Sequence, residues 1–164
     1  MGNSVKLPGP TADCPNRYQF ETTTYQMIYD DLVAKDPFFY KENGLLDIIA
    51  RNIKVKAGPQ RWQDRPAESR PFDCVITFER RVMELVVADM RKKEAEIGGC
   101  NPCLVVNLEV KDSLAEATTA APDALKLCRW LEEADDWESE VEAILQKFAE
   151  ETGRDEPQYE WCFA

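Results

Sequence analysis

The sequence predicts an α/β protein of three layers, with a mainly parallel sheet flanked by helices. Two observations carry this. Residues 72–78 and 104–110 are short apolar runs rich in β-branched side chains, the pattern of strands buried on both faces. Each run is followed by apolar residues at helical spacing, and strand–helix–strand–helix order sets two strands side by side and parallel, with helices covering the sheet.

Taken in order, the first eighteen residues, with Pro8, Gly9, Pro10 and Pro15, read as an irregular arm. Tyr25, Ile28, Tyr29 and Leu32 recur at helical spacing, with threonines ahead of them to cap. Asn43-Gly44 leads into a short apolar helix over 45–50. Residues 52–71, with three prolines and many charges, read as a long loop. Residues 81–96 are helical and end at Gly98-Gly99. After the run 104–110 a helix starts, with Asp112 or Ser113 as N-cap and Glu116 placed for a capping box. Asp135 or Asp136 caps a further helix, which carries Trp137, Val141, Ile144, Leu145 and Phe148 on one face and stops at Gly153. Residues 159–163 form a short last strand.

A chain of 164 residues suits a single domain, 1–164, with its own core. No stretch approaches the roughly 18 apolar residues of a membrane span, and no signal-peptide pattern follows Met1, so a membrane partner is not expected. The net charge of −11 is unevenly placed: residues 131–164 hold twelve acids against Lys147 and Arg154, while residues 1–130 sum to −1. The acidic end reads as a solvated helix face or as a docking surface for a basic partner. Within 51–70, Arg51, Lys54, Lys56, Arg61, Arg65 and Arg70 stand against Asp64 and Glu68, a smaller basic footprint than direct nucleic-acid binding requires. The six cysteines (14, 74, 100, 103, 128 and 162) are scattered through a chain with its own apolar core, which suits a reducing compartment. Cys100-Asn-Pro-Cys103 has zinc-knuckle spacing. A tetrahedral site would want a second close pair or histidines, and the chain has no histidine, so no metal is expected.

Ligands of such sheets bind beyond the carboxyl ends of the strands. The residues leaving the run 104–110 are Lys111-Asp112-Ser113, then Leu114-Ala115-Glu116-Ala117-Thr118. An aspartate just past a buried strand suits a general acid that protonates a leaving alkoxide, and it suits equally a plain N-cap.

At this point the chain resembles the serine phosphatases of the RNA polymerase II carboxy-terminal repeat domain, distant relatives of the low-molecular-weight tyrosine phosphatases. The matching stretches run nearly end to end: Val5-Lys6-Leu7-Pro8-Gly9-Pro10, Pro15-Asn16 with Tyr18 and Phe20, Asn43-Gly44-Leu45 through Arg51-Asn52, Pro59-Gln60-Arg61-Trp62-Gln63, Phe72-Asp73 through Thr77, Arg81-Val82, Val105-Val106-Asn107, Asp112, Glu116-Ala117-Thr118 and Cys162-Phe163.

The resemblance implies a metal-free, cofactor-free, two-step phosphoryl transfer. A cysteine thiolate in a Cys-x5-Arg-Ser loop attacks phosphorus, backbone amides and the arginine bind the oxygens, and an aspartate serves as acid and then base. The implied substrate is the phosphorylated fifth-position serine of the polymerase heptad, read with the following proline in its cis form. The implied docking partner is a scaffold protein of pre-mRNA 3′-end processing, and the implied location is the nucleus. By resemblance Asp112 matches the catalytic acid, and the arm Lys6, Leu7, Pro8, Gly9 and Pro10 helps hold the peptide. Glu109 stands where a second aspartate is expected, and Pro122 departs from the pattern by interrupting the helix after Asp112.

The match begins about forty residues into the family's pattern, so the first strand, the nucleophile loop, the first helix and part of the second strand are not among these residues. In the family that strand is central, and without it two strand edges lie open. Cys74-Val-Ile-Thr-Phe-Glu-Arg80 fits Cys-x5-Arg literally. A phosphate loop must curl with its amides inward, however, and these residues are strand formers with a glutamate among them. A thiol inside such a strand is buried, with a raised pKa. Three functions are therefore weighed: the polymerase-repeat phosphatase, inactive as the 164 residues stand; a non-catalytic interaction module of the 3′-end processing machinery; and a small-molecule α/β enzyme, for which no Gly-rich phosphate loop follows either strand.

Overall fold

The structure is a computed structural model that describes residues 4–11, 13–64, 72–98 and 101–163. Arg65, Glu68 and Arg70 of the basic stretch, Gly99, and Cys100 of the cysteine pair lie outside the described residues. The chain divides into two compact units, Met1–Pro66 and Ala67–Ala164.

The first unit holds a hairpin and three helices. Strand β1 (Ser4–Leu7) pairs antiparallel with β2 (Asn16–Gln19), from Ser4 opposite Gln19 to Leu7 opposite Asn16. The expected irregular arm is therefore a paired hairpin whose proline-rich part is only its connection. Helix α1 (Tyr25–Lys35) starts where the threonines predict, with the Thr24 side chain accepting from the amide of Met27. A helix not read from the sequence follows, α2 (Pro37–Glu42), capped by Asp36 and opened by Pro37, whose missing N–H costs nothing in a first turn.

Helix α3 (Leu45–Val55) runs five residues beyond the expected 45–50, so 52–55 are helix rather than loop, and Trp62–Asp64 form a 3-10 turn. Gly44 enters α3 at φ 78°, a conformation that suits glycine. Ile28, Leu32, Tyr40, Leu45, Leu46 and Ile49 form this unit's core, with Leu7 and Tyr18 of the hairpin packed against it.

The second unit is the α/β part. Strand β3 (Cys74–Thr77) pairs parallel with β4 (Pro102–Asn107), and β5 (Gln158–Phe163) pairs antiparallel on the other side of β4, in the order β3-β4-β5. The sheet is thus mixed, with β4 central, and the outer edge of β3 meets no strand among the described residues. Helix α4 (Arg80–Ile97) crosses from β3 to β4 and ends at Gly98, φ 71°. Helix α5 (Leu114–Glu133) and helix α6 (Trp137–Thr152) lead to β5, and α6 ends at Gly153, φ 67°. Pro122 does not interrupt α5, contrary to expectation. It stands on the exposed side, where water can replace the amide it lacks.

The layers follow from the pleat. Leu104, Val106 and Leu108 face Leu127 and Leu131 of α5 and Val141, Ile144, Leu145 and Phe148 of α6. Cys103 and Val105, also fully buried, point the other way, the side on which α4 packs with Met83, Val86, Val87 and Met90. Helices therefore flank the sheet on both faces, as the strand–helix alternation predicts. No helix of the described residues is long and apolar enough to cross a membrane.

Candidate functional site

Strand β4 is an apolar rod that ends on a buried amide. Thr77 and Asn107 are register partners at the carboxyl ends of β3 and β4, and both are buried. The Thr77 hydroxyl donates to Oδ1 of Asn107 at 2.8 Å. The parallel pairing continues past the strands: the amide of Leu108 donates to the Thr77 carbonyl at 2.9 Å, and that of Val110 to the Phe78 carbonyl at 3.0 Å. Between them, Oε2 of Glu109 accepts from Nδ2 of Asn107 at 2.9 Å and from the backbone amide of Arg80 at 3.1 Å.

Lys111, Asp112 and Ser113 then lie exposed. Ser113 is the N-cap of α5, its hydroxyl accepting from the amide of Glu116 at 3.2 Å. The cap left open between Asp112 and Ser113 in the sequence is thus made by Ser113. Asp112 is left as an exposed carboxylate with no hydrogen-bond partner among the described residues. The Asp112 side chain thus stands just past a strand end and is not engaged in capping. A cleft of about 540 Å³ opens at the same end of β4, between Arg80, Asn107 and Glu109 on one side and residues 153–158 on the other. Asp112 is not part of its lining.

The arm lies in the first unit, where Lys6 near the end of β1 and Pro8 and Pro10 of the β1–β2 connection are exposed to solvent. Leu7 instead turns inward onto the core. Gly9 is half-buried, and any Cβ there would run into the carbonyl of Cys14, so the backbone approaches this closely only because residue 9 has no side chain.

The connection is held from below by Asn16. Its Nδ2 donates to the Pro8 carbonyl at 2.8 Å and to the Tyr40 hydroxyl at 2.9 Å, and its Oδ1 accepts from Lys35 Nζ at 3.0 Å. Beside it the Tyr18 hydroxyl donates to Asp31 at 2.6 Å, and Lys35 meets the same carboxylate. Hydrogen bonds from Lys35 first and Tyr18 second hold the Asp31 carboxyl below its ordinary value, while burial and that bond to Asp31 push the Tyr18 phenol up.

The Cys74–Arg80 match is no phosphate loop. Cys74 to Thr77 is an extended strand, Arg80 opens α4 and pairs in solvent with Glu84, and burial pushes the Cys74 thiol up to about 12, far from a thiolate at neutral pH. Cys103 is fully buried on β4, its knuckle partner Cys100 lies outside the described residues, and no group of three metal-ligating side chains occurs among the described residues.

The roles of Asn16, Asn107 and Glu109 were not read from the sequence. The one available signal was a polar residue at the edge of an ordered stretch: Asn16 opening β2 after Pro15, and Asn107 closing β4 after Val105-Val106.

Comparison with known proteins agrees along the whole chain. Residues 1–164 match the family model described as Ssu72-like protein. The RNA polymerase II C-terminal domain phosphatase ssup-72 of Caenorhabditis elegans is 40% identical over 162 residues, 99% of this chain and 80% of that protein. The crystal structure of the serine phosphatase of the RNA polymerase II CTD (SSU72 superfamily) from Drosophila melanogaster superposes with a TM-score of 0.88 at 34% identity, covering 100% of this chain and 83% of that one. A second D. melanogaster structure, Ssu72 with Symplekin bound to a cis peptidomimetic CTD phosphoserine peptide, gives 0.85 at 32% identity, covering 100% and 82%. Sequence, sheet order and the matched stretches thus lead to one conclusion: the chain belongs to the Ssu72 family.

Proposed function

We propose that this chain serves dephosphorylation of the fifth-position serine in the polymerase carboxy-terminal repeats, with Asp112 as the proton donor and acceptor and Lys6, Leu7, Pro8, Gly9 and Pro10 as the arm that holds the peptide. The observation that carries the reading is the division of labour after β4: Ser113 caps α5, so the exposed Asp112 carboxylate is left for chemistry. In the first step Asp112 protonates the serine oxygen as the phosphoryl group moves to a thiolate. In the second it takes a proton from the water that releases phosphate. Lys6 on β1 and Pro8 and Pro10 on the braced connection, all exposed, suit an extended proline-containing peptide, while Leu7 packs onto the core and Gly9 against the backbone beneath it. The partners of the fly relative, a CTD phosphoserine peptide and symplekin, are extended to this chain on family membership, and work on polymerase repeats implies the nucleus.

The one Cys-x5-Arg match within the 164 residues runs from β3 into the start of α4, so these residues supply the acid and the arm but no attacking thiolate. The purified 164-residue chain is expected to show no turnover of a heptad peptide phosphorylated on its fifth-position serine. Turnover abolished by Cys74→Ser would overturn the reading. The non-catalytic alternative, occupation of the symplekin site alone, is favoured by the same lack of a thiolate among these residues. An in-frame strand followed by Cys-x5-Arg-Ser upstream of the codon for Met1 would decide for catalysis, and a stop codon or unrelated exon there would decide for the alternative.

A further inference from the structure

The carboxylate of Glu109 joins three pieces of backbone. One oxygen accepts from the side chain of Asn107 at the end of β4 and from the amide of Arg80 at the start of α4. Asn107 is itself fixed by the Thr77 hydroxyl at the end of β3. Helix α4 receives no cap from its own N-cap residue, Glu79. The first N–H groups of a helix have no partner within it and carry a partial positive charge, so a carboxylate from elsewhere is stabilised there. Glu109 provides that carboxylate from 29 residues away in sequence.

Backbone bonds flank it, Leu108 to Thr77 on one side and Val110 to Phe78 on the other. Downstream, Ser113 is fixed as the cap of α5. Only Lys111 and Asp112 lie between these anchors.

We propose that Glu109 is the positioning residue for Asp112: it clamps the segment leaving β4 to the first turn of α4 and so fixes where the Asp112 carboxylate stands. This rests on the reading of Asp112 as the acid. Glutamate suits the place because its carboxylate spans from the loop to both donors at once, and its charge strengthens each bond.

The test is amide-resolved hydrogen exchange and amide chemical shifts on the full 164-residue chain, comparing the parent with Glu109→Ala and Glu109→Gln. Loss of a bond to a charged acceptor is expected to speed exchange at the Arg80 amide about tenfold or more. Glu109→Ala should also displace the signals of Lys111, Asp112 and Ser113. Glu109→Gln keeps an oxygen in place, and it should return those three signals toward the parent positions. Faster exchange at Arg80 with unmoved signals at 111–113 would make Glu109 a helix cap only and overturn the proposal. So would signals that stay displaced in Glu109→Gln, or a parent chain with no protection at Arg80. Failure of the Asp112 reading shows elsewhere, as unchanged peptide turnover on Asp112→Asn in a version of the chain joined to a Cys-x5-Arg-Ser strand and loop, while the loop signals still move.

Discussion

The arm and the segment after β4 both present candidate site residues on turns, but they are held in different ways. The arm connection hangs on one side chain, Asn16, which satisfies the Pro8 carbonyl and the Tyr40 hydroxyl together. The segment after β4 is held by several separate ties: two backbone bonds continuing the ladder, the Glu109 carboxylate, and the Ser113 cap. A site built on one buried polar residue fails as a unit when that residue changes. One built on distributed ties loses position by degrees. Placement of the exposed candidate residues is therefore expected to be all-or-none in the arm and graded around Asp112.

Asn16→Ala tests the first half of that contrast and should have the largest effect. It strands the buried Tyr40 hydroxyl and frees the Pro8 carbonyl, a loss of about 1–3 kcal/mol, with exchange rising throughout the β1–β2 connection. Chemical denaturation with exchange by residue measures both, and an unchanged connection would remove the contrast. Ser113→Ala should cost about 1 kcal/mol through loss of the α5 cap. The segment from Leu108 to Val110 should stay protected, because its ties to β3 and α4 do not pass through Ser113.

The smallest effect should come from acid. The Asp31 carboxyl is lowered in the folded chain, so its contribution is fully present above the ordinary carboxylate pKa of about 3.9 and is lost as pH falls through the lowered value. The Tyr18–Asp31–Lys35 contacts should loosen in that window before the backbone bonds from Leu108 and Val110 to β3 and its following residue, which involve no titratable group, as seen by exchange at Arg17 and Tyr18 against Val110. The reverse order would break the comparison.

Much of the fold was legible because it is written in local patterns. Val141, Ile144, Leu145 and Phe148 recur at helical spacing and are all buried on α6, and the run through Val105-Val106 became the central strand. The misses share a cause, which is that the deciding contact is distant or weak in sequence. The hairpin depends on pairing Ser4 with Gln19 across a stretch dominated by prolines. Helix α2 has six residues, and its Phe38 is 86% exposed, so no apolar face announces it. The antiparallel direction of β5 is set by the path of α6, which composition does not encode. Asp112 was legible as a residue past a strand end. That Ser113 makes the cap and that Glu109 reaches the amide of Arg80 depends on a register that brings residues 29 apart together.

The close approach of Gly9 to the carbonyl of Cys14 leaves no room for a side chain at that point of the β1–β2 connection. The two neighbours of Gly9, Pro8 and Pro10, face outward and bear no such restriction from the backbone opposite. Sequence preference there can accordingly drift, or be engineered, by exchanging those flanking residues while the turn keeps its shape.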